Sequence, residues 1–248
     1  MSIRRLLVAA HGDSLACDSN VSASASRIRA SMWELRPENV AGIVARTGMS
    51  RETIRCALKE LSEAGWVIVA RSKGTRSRMV WPVFPRRVEE AIVGELEGEM
   101  ERAPNIGEWL MRAFCDIIVG SANYVDLSRP PWLRNLVTKA RLEVDREYVK
   151  LKVGLECQGD RHYRSSGSVE DDRALAEQQL RDSQKIAQCT RHGVRLVEVT
   201  AANLKRDVMV TKLKTLLPMT AYATAQNSPL IDALDIIGQD YITSVVRQ

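Results

Sequence analysis

The stretch ARLEVDREYVKLKVGLECQ, residues 140–158, decides the fold class. It reads as two strand-like runs, Ala140 to Tyr148 and Lys150 to Gln158, rich in the β-branched and apolar residues that strands favour. Around them lie other periodic segments. An apolar helix, Gly107 to Val119, precedes them, followed by a turn-rich loop at Ser128-Arg129-Pro130-Pro131. A polar loop through Gly167, a long polar helix Val169 to His192, a strand Arg195 to Val199 and a last helix Ala201 to Leu217 come after. The order helix, strand, strand, helix, strand, helix describes a compact α/β domain.

Two carboxylates mark the two runs. Asp145 ends one, and Glu156 stands inside the next, in Val153-Gly154-Leu155-Glu156-Cys157-Gln158. A glutamate flanked by apolar residues near a strand end is partly desolvated and needs a cation or hydrogen-bond donors. A divalent metal shared with Asp145 meets that need, and hard oxygen ligands suit Mg²⁺, with Mn²⁺ as a substitute. The plainer alternative is an ordinary surface ion pair. Glu143, two residues before Asp145, shares its strand face and is a reserve ligand.

Upstream, the periodicity predicts three helices and a hairpin. Ile28, Met32 and Leu35 share one face of a first helix, Arg27 to Leu35. Pro37 suits the first turn of a second, Glu38 to Thr47, which buries Val40, Ile43 and Val44 and is ended by Gly48. Ser50 can cap a third, Arg51 to Ala64, with Ile54, Ala57, Leu58 and Leu61 inward and Arg51, Glu52, Arg55 and Lys59 outward. An alternating strand (Val67, Val69), a basic tip from Arg71 to Arg78 and a returning strand Met79 to Val83 complete a hairpin. Residues 21–85 hold eleven Lys and Arg against five Asp and Glu.

The segment ENVAGIVARTGMSRETIRCALKELSEAGWVIVARSKGTRSRMVWP, residues 38–82, resembles the winged helix-turn-helix of bacterial regulators and replication initiators. That resemblance implies a third helix in the major groove and a wing along the backbone. Ser50, Arg51, Thr53, Arg55 and Lys59 would face double-stranded DNA, with Lys73, Arg76 and Arg78 on the wing. A protein-docking module with a solvated charged face is the alternative.

The rest of the chain constrains the reading. Its 248 residues, 45% hydrophobic and 27% charged, suffice for two domains, and the net charge of +5 favours polyanionic partners. Five scattered cysteines without a CxxC pair, and three histidines, argue against disulfides and structural zinc. No apolar run reaches membrane-spanning length, and Ile3 to Ala10 is too short and Arg-rich for a signal peptide, so a cytoplasmic protein is expected. The expected organisation is a leader or arm at 1–26, a winged helix at 27–85, an acidic helical connector at 86–105, the α/β domain at 106–217 and a helical tail at 218–248. In the tail, Leu230, Ile231, Leu234 and Ile237 share a face suited to a homodimer or interdomain contact.

LRNLVTKARLEVDREYVKLKVGLECQGDRHY, followed by RDSQKIAQCTRHGVRLVEV, is similar to the PD-(D/E)XK superfamily, in the branch related to very-short-patch repair endonucleases. The resemblance covers roughly residues 106–217 and implies a restriction-endonuclease-like α/β core, a central mixed sheet flanked by helices. It implies that Asp145 and Glu156 bind Mg²⁺. The position often held by lysine is Gln158 here. Either Gln158 positions the attacking water, or Lys185, one turn beyond Asp182 on the next helix, reaches the same space. His162 is a candidate acid, base or phosphate contact. His192 and Cys189 read as helix-end packing.

The expected activity is therefore Mg²⁺-dependent hydrolysis of DNA phosphodiesters by an endonuclease of restriction, mobile-element or phage origin, with the winged helix selecting the site. The alternative is a DNA-binding regulator whose nuclease-like core is inactive and serves dimerisation or partner binding. A mismatch-nicking repair enzyme is a third reading, disfavoured because such enzymes need no winged helix.

Overall fold

The computed structural model describes residues 3–32, 34–71, 78–158 and 169–246. The chain is mixed α/β, with two sheets among the described residues. None of the described helices is long and apolar enough to cross a membrane.

The N-terminal part begins with α1 (Ile3–Ala16) and α2 (Ala23–Ala30). Residues 1–26 were expected to form an arm, and the structure corrects this. Ile3, Leu7, His11 and Leu15 fall every four residues on one face of α1, and all four are buried. The polar His11 interrupts the apolar stripe and hides its period. His11 packs edge-on against Trp66 and Phe84, and burial first, then Arg29, lowers its pKa to about 4, so it is a neutral core residue.

Asn39 ends the short strand β1 (Glu38–Asn39) and caps α3 (Val40–Thr47) by accepting from Gly42 N. Gly48 closes α3 at φ +68°, where a side chain is strained. Ser50 then caps α4 (Arg51–Glu63), which buries Ile54, Ala57, Leu58 and Leu61 as their spacing predicts. Strands β2 (Val67–Arg71) and β3 (Arg78–Pro82) pair antiparallel, and β1 joins the other edge of β3. Arg29 lies fully buried beneath them and donates to the carbonyls of Trp66 and Val83 at 3.1 and 3.0 Å.

Helix α5 (Arg86–Glu101) follows the hairpin. It buries Val88, Ile92 and Leu96 together with Glu89, whose carboxylate accepts from the Tyr222 hydroxyl, the Ser228 hydroxyl and Leu230 N. Tyr222 in turn accepts from Phe84 N at 2.8 Å. Buried donors offset the desolvation of this carboxylate and tie the two halves of the chain together. A single apolar core therefore runs from Ile3 to Leu234.

The second sheet has the order β4-β5-β6-β7, from β4 (Val125–Ser128), β5 (Val144–Tyr148), β6 (Val153–Gln158) and β7 (Arg195–Thr200). The first three strands are antiparallel to their neighbours, and β6 and β7 are parallel, so the sheet is mixed. Helix α7 (Val169–Arg191) precedes β7, the long crossover that a parallel pair requires. Helix α6 (Ile106–Ile118) carries the apolar residues expected of it.

Strand β4 was not foreseen. The expected final helix is a 3₁₀ turn, Ala201–Asn203, followed by α8 (Arg206–Leu213). The tail helix α9 (Pro229–Val246) carries the apolar face that the spacing suggested, and its Leu230, Ile231 and Leu234 are covered within the chain. Gly238 lets α9 approach the Leu204 carbonyl, which a Cβ would meet at 2.2 Å.

Candidate active site

The β5–β6 ladder runs from Tyr148 opposite Val153 to Arg146 opposite Leu155. One step further, Asp145 faces Glu156, and the pattern changes. The Asp145 carboxylate, rather than its backbone, accepts from Cys157 N at 2.7 Å. The pairing of β5 with β6 stops short of this point, and the Asp145 carboxylate lies close enough to Glu156 to raise its carboxyl.

Glu156 is held from α7. Lys185 donates to its Oε1, and both side chains are almost buried. Glu156 Oε2 is buried with no hydrogen-bond partner among the described residues, and so is Gln158 Oε1. Asp182, one turn before Lys185, accepts from Gln178 Nε2 at 3.1 Å. Asp145, Asp182 and Lys185 thus all act on Glu156 through their charges, Gln158 is buried two residues further along β6, and His162 lies outside the described residues. Glu143 is paired with Arg129 at 2.8 Å. His192 stacks on Trp132 and Cys189 is buried, the packing expected of them.

Burial dominates the electrostatics of the pair. Burial, and then the neighbouring Asp145, push the Glu156 carboxyl up to about 7, against the opposing pull of Lys185. Burial likewise raises Asp145, while the Cys157 amide and Lys185 work the other way. Two crowded carboxylates and a neutral amide oxygen, two of whose oxygens lack a donor, form a hard-oxygen donor set. Oxygen donors of this kind are the ligand type that small divalent cations take. Among the described residues no cluster of three or more His, Cys, Asp or Glu side chains is arranged to hold a metal ion.

Two neighbours escaped the sequence reading because both belong to an apolar helix. Arg112 on α6 pairs with Glu108 one turn earlier, approaches Asp126 at 3.7 Å and reaches the Asp145 carbonyl at 3.4 Å. Burial and the charge of Asp145 raise the Glu108 carboxyl. The i, i+4 spacing of Glu108 and Arg112 was the available signal. Beneath them Arg146 is fully buried, pairs with Asp116 at 2.7 Å and Asp126 at 2.6 Å, and lies 3.8 Å from the Tyr124 ring centre.

In the N-terminal part of the chain, Ser50, Arg51, Thr53, Arg55 and Lys59 are exposed at and along α4. Ser50 accepts from Thr53 N at 3.1 Å, so its hydroxyl is occupied as a cap. Arg55 is paired with Glu52 at 2.6 Å, and Lys59 stands 3.9 Å from Glu63. Arg78 sits directly opposite Arg71 at the mouth of the hairpin, both exposed. Lys73 and Arg76 lie outside the described residues.

Compared with protein-family models, curated proteins and solved structures, the chain matches none of them.

Proposed function

We propose that this protein is a metal-dependent DNA endonuclease whose α/β part is a PD-(D/E)XK-type core and whose N-terminal part binds DNA as a winged helix. The observation that carries the reading is the closeness of the Asp145 and Glu156 carboxylates just past the last paired residues of β5 and β6, with Glu156 Oε2 and Gln158 Oε1 buried and unpartnered among the described residues. A mixed sheet with a helical crossover before its parallel strand is compatible with such a core.

Asp145 and Glu156, helped by the Gln158 amide oxygen, would hold Mg²⁺ or Mn²⁺. A bound divalent ion supplies polarisation of a phosphoryl oxygen and a more acidic water. The chain's own part is to place charge. Lys185 favours the ionised form of Glu156 and offers an ammonium to a phosphate oxygen, which gives it the role of the relocated lysine. Gln158 orients water through its amide. Arg112 braces the Asp145 backbone from α6.

DNA binding is supported by the exposed α4 side chains and by Arg71 opposite Arg78. Like charges directly across a ladder repel, and a phosphate between them relieves the repulsion. One observation favours the second reading, a DNA-binding regulator with an inactive core: Lys185 already neutralises one oxygen of Glu156. Incubating supercoiled plasmid with purified protein and Mg²⁺ or Mn²⁺ separates the two. Nicked or linear product supports the nuclease, and intact plasmid under both metals, despite DNA binding, supports the regulator.

A further inference from the structure

The hairpin-like loop between β4 and β5 presents an apolar tip in a basic setting. Leu136 is 58% exposed and Val137 76%. Around them stand Arg134, Lys139 and Arg141, all exposed, and no acidic residue lies between Arg129 and Leu142. Isolated exposed apolar residues need no explanation, but two at the tip of a cationic loop invite one.

This loop is built to hold its shape. Arg134 and Arg141 bridge its stem, and Asn135 Oδ1 accepts from Val137 N and Thr138 N, both at 2.9 Å. Lys139 donates to the Leu136 carbonyl at 2.7 Å. Helix α7 clamps one side: Gln184 accepts from Leu136 N, and Gln188 both accepts from Arg134 N and donates to its carbonyl. Leu133 is buried against Val144, Cys189 and Val194. The side chain after Gln184 is Lys185, which reaches Glu156, and the stem runs directly into Asp145. The same turn of α7 thus fixes the loop on one side and the carboxylate pair on the other.

We propose that residues 133–142 form a second DNA-contacting element, in which Lys139 and Arg141 bind backbone phosphates while Leu136 and Val137 press against bases in the minor groove. The inference rests on the reading of the core as DNA-acting. Apolar side chains flanked by cations suit a groove where apolar wedges enter between base steps and the walls are anionic phosphates. A second copy of the chain fits less well, because a two-fold contact at the tip would bring identical cations together.

The test uses the full chain, a fluorescein-labelled duplex and the same duplex carrying 2-aminopurine, without divalent ions. Arg141→Gln should lower the slope of log affinity against log salt by about 0.9, one phosphate contact. The double variant Leu136→Ser/Val137→Ser should weaken binding roughly tenfold, leave that slope unchanged and remove any 2-aminopurine response. Unchanged affinity and slope in both variants overturns the proposal. So does a wild-type dimer that the double variant converts to monomer without affecting DNA binding. Plasmid cleavage is scored separately: lost duplex binding with an inactive wild type sinks only the nuclease reading, and cleavage with unaltered binding sinks only the loop.

Discussion

Lys185 donates to one oxygen of Glu156, while the other oxygen of that carboxylate is buried without a partner among the described residues. A half-satisfied buried carboxylate costs free energy, and it persists where function uses the free oxygen. The same lysine counters Asp145 and Asp182, both of which raise Glu156.

Replacing Lys185 by Met should push the Glu156 carboxyl above about 7, its value beside the lysine, and abolish cleavage at neutral pH. Lys185→Arg should retain part of the activity. Gln158→Lys discriminates the two candidates for the lysine role. If Lys185 fills it, the new cation crowds an occupied site and gains nothing. If Gln158 stands in that place, activity is preserved or raised. Plasmid cleavage rates of the three variants decide the question.

The pH dependence follows from the same carboxylate. Its ordinary value is 4.5, and burial first, with Asp145 next, raises it to about 7 in the folded chain. Between those two values the folded state holds a proton that the unfolded state has lost. Stability from this group is therefore complete below the ordinary value, falls as pH rises through the window and stays low above about 7. A cation competes with that proton, so Mg²⁺ affinity should climb toward pH 7 and level off above it. Calorimetric Mg²⁺ titrations and metal-free melting curves across this range check both trends, and a pH-independent affinity contradicts them.

Arg55→Ala and Lys59→Ala should weaken duplex binding with little effect on folding. Both side chains are exposed, and their Glu52 and Glu63 partners are exposed too, so stability should stay close to wild type. An arginine reading a base would cost roughly 1–3 kcal/mol of binding, whereas a phosphate contact would lower the salt dependence instead. Anisotropy titrations at several salt concentrations distinguish these outcomes, and unchanged binding in both variants removes α4 from the interface.

Arg146→Met should behave in the opposite way. Arg146 and Asp116 side chains are both 0% exposed, and truncating the arginine removes the balancing cation from a buried carboxylate, which keeps only neutral donors such as the Tyr124 hydroxyl. Loss of one partner of such a pair costs about 3–5 kcal/mol, which denaturant unfolding resolves.

The helices and strands with strong periods were legible in the sequence, as were the caps at Ser50 and Gly48 and the carboxylates Asp145 and Glu156. What was not legible depended on tertiary partners. Helix α1 was hidden because His11, made neutral and buried by its aromatic neighbours, occupies an apolar position. The burial of Glu89 had no local signal, because nothing nearby in sequence announces Tyr222 and Ser228, more than a hundred residues away. Strand β4 has four residues, with Leu127 at φ +53°, too short and irregular for an alternating pattern. Glu108 and Arg112 were masked by the apolar helix that carries them.

The most direct test of the central claim compares wild type with Asp145→Asn and Glu156→Gln in two assays, plasmid cleavage with Mg²⁺ or Mn²⁺ and calorimetric metal binding. An amide keeps the shape of each side chain but removes the charge that holds a divalent ion. The account predicts cleavage by wild type, none by either variant, lost metal binding in both and duplex affinity close to wild type. A wild-type protein that binds DNA but cuts none under either metal, with variants that bind metal as it does, would contradict it.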